Sequence, residues 1–285
     1  MSKPIRRTVF ALILLVLFSG CTTVVVNYVI DPTFENLQQQ TDLNLVCEGA
    51  PSFLLIIDSL IVSNPQSLKM LMAGTQAYAS YTAVLAECNR DERMGQLSLK
   101  AKKYGLTLLG LFPKFRENVE KPVTEFENAI SGFNKNDVDA LFWGGYGWAT
   151  NIMHQDGSPA ALADLLKIEQ IMLKVVELED TYYNGAAHLF LGVYYGSRPS
   201  MYGGQPEKSR QHFEKALAIS NHQFLAVQVA FAENYARMTF DRDLYGKLLQ
   251  EVVDFPLESR PELSLTNQVA KRKARRLLDQ IDDFF

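Results

Sequence analysis

Apolar residues recur at helical spacing along most of this chain, and this pattern limits the folds open to it. The segment after Pro51 is typical, because Leu54, Ile57 and Ile61 follow one another at intervals of three and four. Similar segments continue to the C-terminus, joined by short turns that contain Gly, Pro, Asn or Asp. The predicted helices cover residues 51–62, 67–86, 91–112, 123–130, 137–153, 158–178, 184–196, 206–220, 224–238, 242–253 and 263–284.

The one stretch with a β-like composition is TVVVNYVI at residues 23–30, and no alternating strand pattern follows it. The sequence therefore predicts an all-α fold. Short connections between successive helices favour helix pairs stacked as an α-solenoid or closed helical array over a single bundle.

The N-terminus has the three-part layout of an export signal. Basic residues come first, the apolar run Val9–Phe18 follows, and Ser19 and Gly20 precede Cys21. The stretch LFSGC resembles the lipobox of bacterial lipoproteins, with Phe18 where that motif usually has Leu. This resemblance implies cleavage before Cys21 and lipid on its side chain; an ordinary secretory signal with an incidental cysteine is the alternative. The expected organisation is a signal peptide at 1–20, a tether at 21–43 and a helical domain at 44–285.

Charge and compartment limit the partners. Removal of residues 1–20 takes the formal net charge from −4 to about −7, because three basic side chains are lost. An acidic exported protein lacks the basic surface that nucleic acid requires. Thr22 follows Cys21 where aspartate would signal retention in the inner membrane, so by resemblance the lipid anchors the protein in the periplasmic face of the outer membrane.

Cys47 and Cys88 remain after the signal peptide, in a compartment where disulfides persist. If the helices at 51–62 and 67–86 form an antiparallel hairpin, the start of the first lies beside the end of the second. We therefore predict a disulfide between these cysteines; the alternative is two small buried apolar side chains.

The clearest repeat signal lies near the C-terminal third. In one predicted helix His188, Leu191, Gly192 and Tyr195 fall on one face, and the next helix carries Phe213, Ala216 and Leu217 in HFEKALAIS. The pattern resembles the second half of a tetratricopeptide unit, with a turn about five residues longer than the 34-residue unit allows.

Several longer motifs carry a more specific resemblance. They are GGYGWATNI, LEDTYYNGAAHLFLGVYYGSRP, YGGQPEKSRQHFEKALAIS, FDRDLYGKLLQEVV and LTNQVAKRKARRLLDQIDDFF, with EGAPSFLLIIDSLIVSNP and AGTQAYASYT nearer the N-terminus. Together they resemble the T-component family of tripartite ATP-independent periplasmic (TRAP) transporters. The resemblance implies a lipoprotein with a tetratricopeptide-like fold, a homotrimer, and a periplasmic solute-binding protein as partner. It also implies an apolar cleft or pore for apolar or amphiphilic organic acids.

Candidate ligand contacts lie in two segments. In ALFWGGYGWATNIM, Trp143 and Tyr146 stand among three glycines that would let a helix or ligand approach closely, and aromatic side chains can form the walls of an apolar pocket. The second segment carries the candidates Tyr194, Tyr195, Arg198, Met201 and Tyr202. The alternative for the aromatic residues is ordinary core packing. Arg198 either pairs with a ligand carboxylate or caps the helix before it.

Catalytic and metal-binding patterns are absent from the sequence. The four histidines fit no metal-ligand spacing, and neither a Walker A motif nor a G-x-S-x-G motif occurs. We therefore expect neither an enzyme nor a cofactor. A helical-repeat scaffold lipoprotein for envelope protein interactions, without a small ligand, is the alternative to a transporter subunit.

Overall fold

A computed structural model of the chain describes residues 29–152, 159–199, 201 and 203–285, with the backbone alone at 159 and 160. These residues are predominantly helical and include no strand, so the all-α prediction is confirmed. The α-helices are α1 (Asp31–Gln38), α2 (Leu43–Ser63), α3 (Leu68–Val84), α4 (Met94–Leu109), α5 (Pro113–Asn118), α6 (Glu127–Ile130), α7 (Val138–Ile152), α8 (Pro159–Glu179), α9 (Tyr182–Gly196), α10 (Pro206–Ser220), α11 (Ala226–Phe231), α12 (Arg242–Asp254), α13 (Ser264–Asp279) and α14 (Ile281–Phe284).

Local sequence sets several helix ends. The Asp42 carboxylate accepts hydrogen bonds from the backbone N–H groups of Asn44 and Leu45, at 3.0 and 3.2 Å, and so caps the start of α2. Asp241 caps α12 in the same way. At the end of α10, Asn221 adopts a left-handed conformation (φ 48°), which asparagine tolerates better than most residues.

Most consecutive helices pack against each other along the chain, and α7 also packs against α3 and α4. The two ends of the array meet, because α1 and α2 contact α13 and the guanidinium of Arg276 lies 3.1 Å from the Glu87 carboxylate. Two apolar cores result, one around α2, α3 and α4 and a larger one from α5 to α13. This arrangement is compatible with stacked helix pairs that close on themselves.

Helix α1 lies within residues 21–43, the segment predicted as a tether. Asp31 and Pro32 begin this helix, because an acidic residue and a proline suit the first turn, and Ile30 and Leu43 on either side are fully buried. Residues 21–28, including Cys21 and most of the β-like run, lie outside the described residues.

The prediction that α2 starts near Pro51 is wrong, because Pro51 lies inside the helix. A proline has no N–H to donate to the carbonyl four residues earlier, which here belongs to Cys47. The hydroxyl of Tyr81 in α3 donates to that carbonyl at 3.1 Å instead. A side chain from the neighbouring helix thus satisfies the carbonyl that proline leaves unpaired.

Candidate functional site

The glycines of α7 serve helix packing. A Cβ at Gly144 would lie 2.4 Å from the Leu109 side chain, and one at Gly145 would lie 2.6 Å from Ile171. A Cβ at Gly147 would lie 2.4 Å from Thr75 and 2.8 Å from a backbone oxygen of α4. Contacts under 3.0 Å require a neighbour to shift, so α3, α4 and α8 can approach α7 only because these positions lack side chains. The close approach to the α7 backbone is made by protein.

Trp143 and Tyr146 belong to a central aromatic cluster. Phe142 stacks on Tyr146 with ring centroids 5.8 Å apart, and Trp143 meets Tyr183 edge-on at 5.1 Å. The members of the cluster are Phe142, Trp143, Tyr146, Tyr182, Tyr183 and Phe224. Trp143 is only 5% exposed, and burial raises the pKa of the Tyr146 hydroxyl. The structure packs both predicted residues in the core, and their role in ligand contact stays a prediction.

The backbone is unusual beside this cluster. Tyr183, Asn184 and Gly185 have φ values of 45°, 59° and 77°, and they form a kink in the first turns of α9. A left-handed conformation is costly for an aromatic residue and tends to occur at functional sites. The Tyr183 ring is held by the cluster, and burial, followed by the charge of Tyr146, raises its pKa to about 12. Packing of the Tyr183 ring therefore offsets the cost of its backbone conformation.

The second predicted segment forms a small cleft, which we call the Arg198 cleft. It lies between the end of α9, the start of α10 and a π-helix at Ala232–Ala236, a type of helix that is frequent at functional sites. Its volume is about 90 Å³, enough for a carboxylate group or a few waters. The lining residues are Gly196, Arg198, Pro199, Pro206, Asn234, Tyr235, Met238 and Thr239.

Arg198 is the cationic group of this cleft. Its guanidinium lies 5.1 Å from the ring centroid of Tyr194, an arrangement that attracts a cation to the aromatic face. Its Nε is buried and has no hydrogen-bond partner among the described residues. A buried donor without a partner is costly, so a ligand oxygen placed there would gain a charge-assisted hydrogen bond.

Tyr194 and Tyr195 anchor the cleft rather than line it. They are 7% and 3% exposed. The Tyr195 hydroxyl donates to the Glu169 carboxylate in α8 at 2.6 Å, and burial together with this bond raises the pKa of Tyr195. The Tyr195 ring also stacks on His212. Tyr195 therefore holds α9 against α8 and α10.

Of the remaining predicted residues, Met201 is 81% exposed on the turn before α10. Tyr202 lies outside the described residues. The ring contacts among described residues join Trp143 and Tyr146 to one group, and Tyr194 and Tyr195 to another. The structure thus separates the candidates into two groups.

A histidine pair beside the second group has no sequence signature. The Nδ1 atoms of His188 and His212 lie 2.8 Å apart, so one ring must donate and the other accept. Burial lowers the pKa of both rings, and that of His212 falls to about 4 through burial and the nearby charges of His188 and Lys208. Helical spacing gives no warning of the pair, since the two residues lie on different helices.

A polar cluster around Asp58 is also invisible in the sequence. The Asp58 carboxylate in α2 accepts hydrogen bonds from Tyr104 at 2.6 Å, from Tyr78 at 2.9 Å and from Lys100. Burial acts to raise the pKa of Asp58, but the three hydrogen bonds outweigh it and the pKa is lowered. These contacts join α2, α3 and α4, which are the helices next to the predicted disulfide.

The structure joins Cys47 and Cys88 by that disulfide, with their Cα atoms 5.7 Å apart. It links the first turns of α2 to the 3-10 turn after α3, as the hairpin argument predicts. Among the described residues, no group of three or more His, Cys, Asp or Glu side chains is placed to hold a metal ion.

The chain is similar to a known protein family over most of its length. The model of a family described as TAtT: TRAP transporter T-component matches residues 39–285. An uncharacterized protein of Treponema pallidum (strain Nichols) is 24% identical over 265 residues, which cover 87% of this chain and 81% of that protein. The family match begins just before α2 and includes the Arg198 cleft, the aromatic cluster and both cysteines.

Proposed function

Because the chain belongs to the TRAP transporter T-component family and is therefore an accessory subunit of a TRAP transporter, we propose that it docks the periplasmic solute-binding protein of that transporter. The match over residues 39–285 carries this proposal. The protein acts in the periplasm, anchored by lipid on Cys21 to the outer membrane, and assembles as a homotrimer by resemblance to the family. The export-signal layout and the LFSGC stretch support the anchor.

In this function the Arg198 cleft binds the anionic end of an apolar or amphiphilic organic acid. A carboxylate oxygen could accept a hydrogen bond from the unpaired Nε of Arg198. Because the cleft volume is about 90 Å³, the cleft holds only the polar head of such a ligand. The apolar part would extend over Met238 and the exposed Met201, and by prediction over Tyr202. The central aromatic cluster would contact the ligand only if its side chains moved apart, since Trp143 is buried.

The ligand part of the proposal is tested with decanoate as the probe. Arg198→Gln keeps a polar side chain but loses the charge, so we expect decanoate affinity to fall about 10- to 100-fold, as for loss of a hydrogen bond to a charged group. Arg116→Gln is the control, because Arg116 is exposed on α5 and donates to the Gly110 carbonyl at 3.3 Å. If calorimetry finds that both variants bind decanoate with the same affinity, Arg198 does not contact the ligand.

Docking is tested separately with the purified binding protein of the transporter. Native mass spectrometry of the detergent-solubilised, acylated chain should show a complex that also forms with the Arg198→Gln variant. Failure of the wild-type chain to form any complex at micromolar concentrations would contradict docking.

A scaffold without a small ligand is the second candidate function. It is favoured by the burial of Trp143, Tyr194 and Tyr195, which are at most 7% exposed. One outcome distinguishes the two functions. A scaffold would still form the complex with the binding protein, but neither the wild-type chain nor the Arg198→Gln variant would bind decanoate.

A further inference from the structure

Helix α2 is apolar on more sides than the protein covers. It has 21 residues, and an 18-residue stretch of it has a mean hydropathy of 1.9, which makes α2 the one described helix long and apolar enough to cross a membrane. Only 33% of that stretch is buried. Leu54, Ile57 and Ile61 on its inner side pack into the core and are at most 5% exposed. Because this side is held by protein, α2 does not span a bilayer. A helix that is apolar all round is normally covered, so its other side calls for a partner.

The uncovered side, here called the outer face of α2, consists of Ser52, Leu55, Ile56, Ser59, Val62 and Ser63. Leu55, Ile56 and Val62 are 67%, 51% and 79% exposed. Of the charged residues of α2, Asp58 is turned toward Tyr78 and Tyr104, whereas the exposed Glu48 lies on the same side of the helix as the outer face, one turn before Ser52. From Ser52 to Ser63 the face therefore presents apolar and hydroxyl side chains, with the Glu48 carboxylate at its N-terminal edge.

The serines of this face suit an apolar environment. The hydroxyls of Ser59 and Ser63 donate to the backbone carbonyls of Leu55 and Ser59, both at 2.9 Å. A hydroxyl that is satisfied within its own helix loses little when water is removed, whereas an unpaired hydroxyl would oppose burial. The outer face can thus leave water without a large polar penalty.

The position of the N-terminus argues for lipid as the occupant. Phe34 in α1 contacts Phe53 of α2 with ring centroids 5.4 Å apart, beside the start of the outer face. Val29 lies five residues before Phe34, which is roughly 8 Å along a helix. Cys21 lies eight residues before Val29, a reach of at most about 27 Å. An anchor on Cys21 therefore keeps Phe34, and with it the start of the outer face, within roughly 35 Å of the membrane surface.

We propose that the outer face of α2 lies on the membrane that anchors the protein, with Leu55, Ile56 and Val62 inserted among the lipids. This inference rests on the proposed lipid anchor at Cys21. Buried apolar area adds to the affinity supplied by the acyl chains and fixes which side of the protein faces the membrane. The rest of the helical array would then project away from the bilayer, where a periplasmic partner can reach it.

Fluorescence quenching tests this orientation on the acylated full chain. The protein is reconstituted on phosphatidylethanolamine–phosphatidylglycerol vesicles that contain acyl-brominated phosphatidylcholine, after its mass has shown that Cys21 carries lipid. With Ile56→Trp, we expect the introduced indole to be quenched at a depth of roughly 5–10 Å. Phe240→Trp is the control, because Phe240 is 79% exposed on the turn before α12 and should escape quenching.

Equal quenching at the two positions, or none at residue 56, would overturn the proposal. Amide hydrogen exchange of the wild-type chain gives a second readout, since residues 52–63 should be protected on vesicles and not in detergent-free protein that lacks the acyl chains. Protection that appears without vesicles and rises with protein concentration would assign the face to a second copy of the chain and would also overturn the proposal. Absence of lipid on Cys21 would instead contradict the anchor, which the mass measurement reports separately.

Discussion

Removal of the Cys47–Cys88 disulfide should destabilise the protein strongly. The bond closes a loop with a sequence separation of 41 residues. In the chain-entropy treatment, a loop of this length stabilises the folded state by about 4 kcal/mol, because the crosslink restricts the unfolded chain. The double variant Cys47→Ala with Cys88→Ala is the appropriate change, since alanine introduces no buried hydroxyl where Cys47 is 7% exposed.

Urea unfolding followed by circular dichroism measures this loss. With a denaturant dependence of about 3 kcal/mol per molar urea, the unfolding midpoint should fall by roughly 1.3 M. Reductant should lower the wild-type midpoint by a similar amount and leave the double variant unchanged. The reasoning is refuted if alkylation and mass analysis find two free thiols in unreduced protein from an oxidising compartment. A fully oxidised wild type that unfolds at the same midpoint as the variant would refute the magnitude.

Further substitutions test the packing and the titrating groups. Gly147→Ala should lower the free energy of unfolding by about 1–3 kcal/mol, because its Cβ would lie 2.4 Å from a side chain of a neighbouring helix. Gly49→Ala should instead stabilise α2 by up to about 1 kcal/mol, since nothing lies within 4 Å of the position of its Cβ. Thermal unfolding of the two variants measures both effects. The lowered pKa of His212 adds stability that is present above pH 6.5 and lost as the pH falls toward about 4, so His212→Gln should flatten the stability–pH curve in that window. Asp58→Asn should cost about 1–3 kcal/mol near neutral pH; because the folded pKa of Asp58 lies below 3.8, the difference from wild type in urea titrations should shrink below that pH.

Helical spacing predicted most of the fold because it reports which side of each helix is buried. The bounds of α10 match the prediction at both ends, since Pro206 and Asn221 are strong local signals at its start and end. Local signals failed where a distant side chain decides the structure. Pro51 reads as a helix start, but Tyr81 supplies the hydrogen bond that lets α2 continue through it.

The candidate site was predictable in part for the same reason. Arg198 follows a run of aromatic residues, and the sequence allowed either a ligand contact or a helix cap for it. The Asp58 cluster and the His188–His212 pair were missed, because each joins residues from different helices with no fixed spacing. The glycines of α7 gave a correct signal of close approach, but the sequence does not say whether a ligand or a helix makes it.

The central claim is that this T-component docks the solute-binding protein of its transporter. Cross-linking mass spectrometry in intact cells, with a lysine-reactive linker that enters the periplasm, tests it most directly. The account predicts cross-links between lysines of this chain and the periplasmic binding protein, lost when the binding protein is deleted. Cross-links confined to other envelope proteins, with none to the binding protein at normal expression, would contradict it.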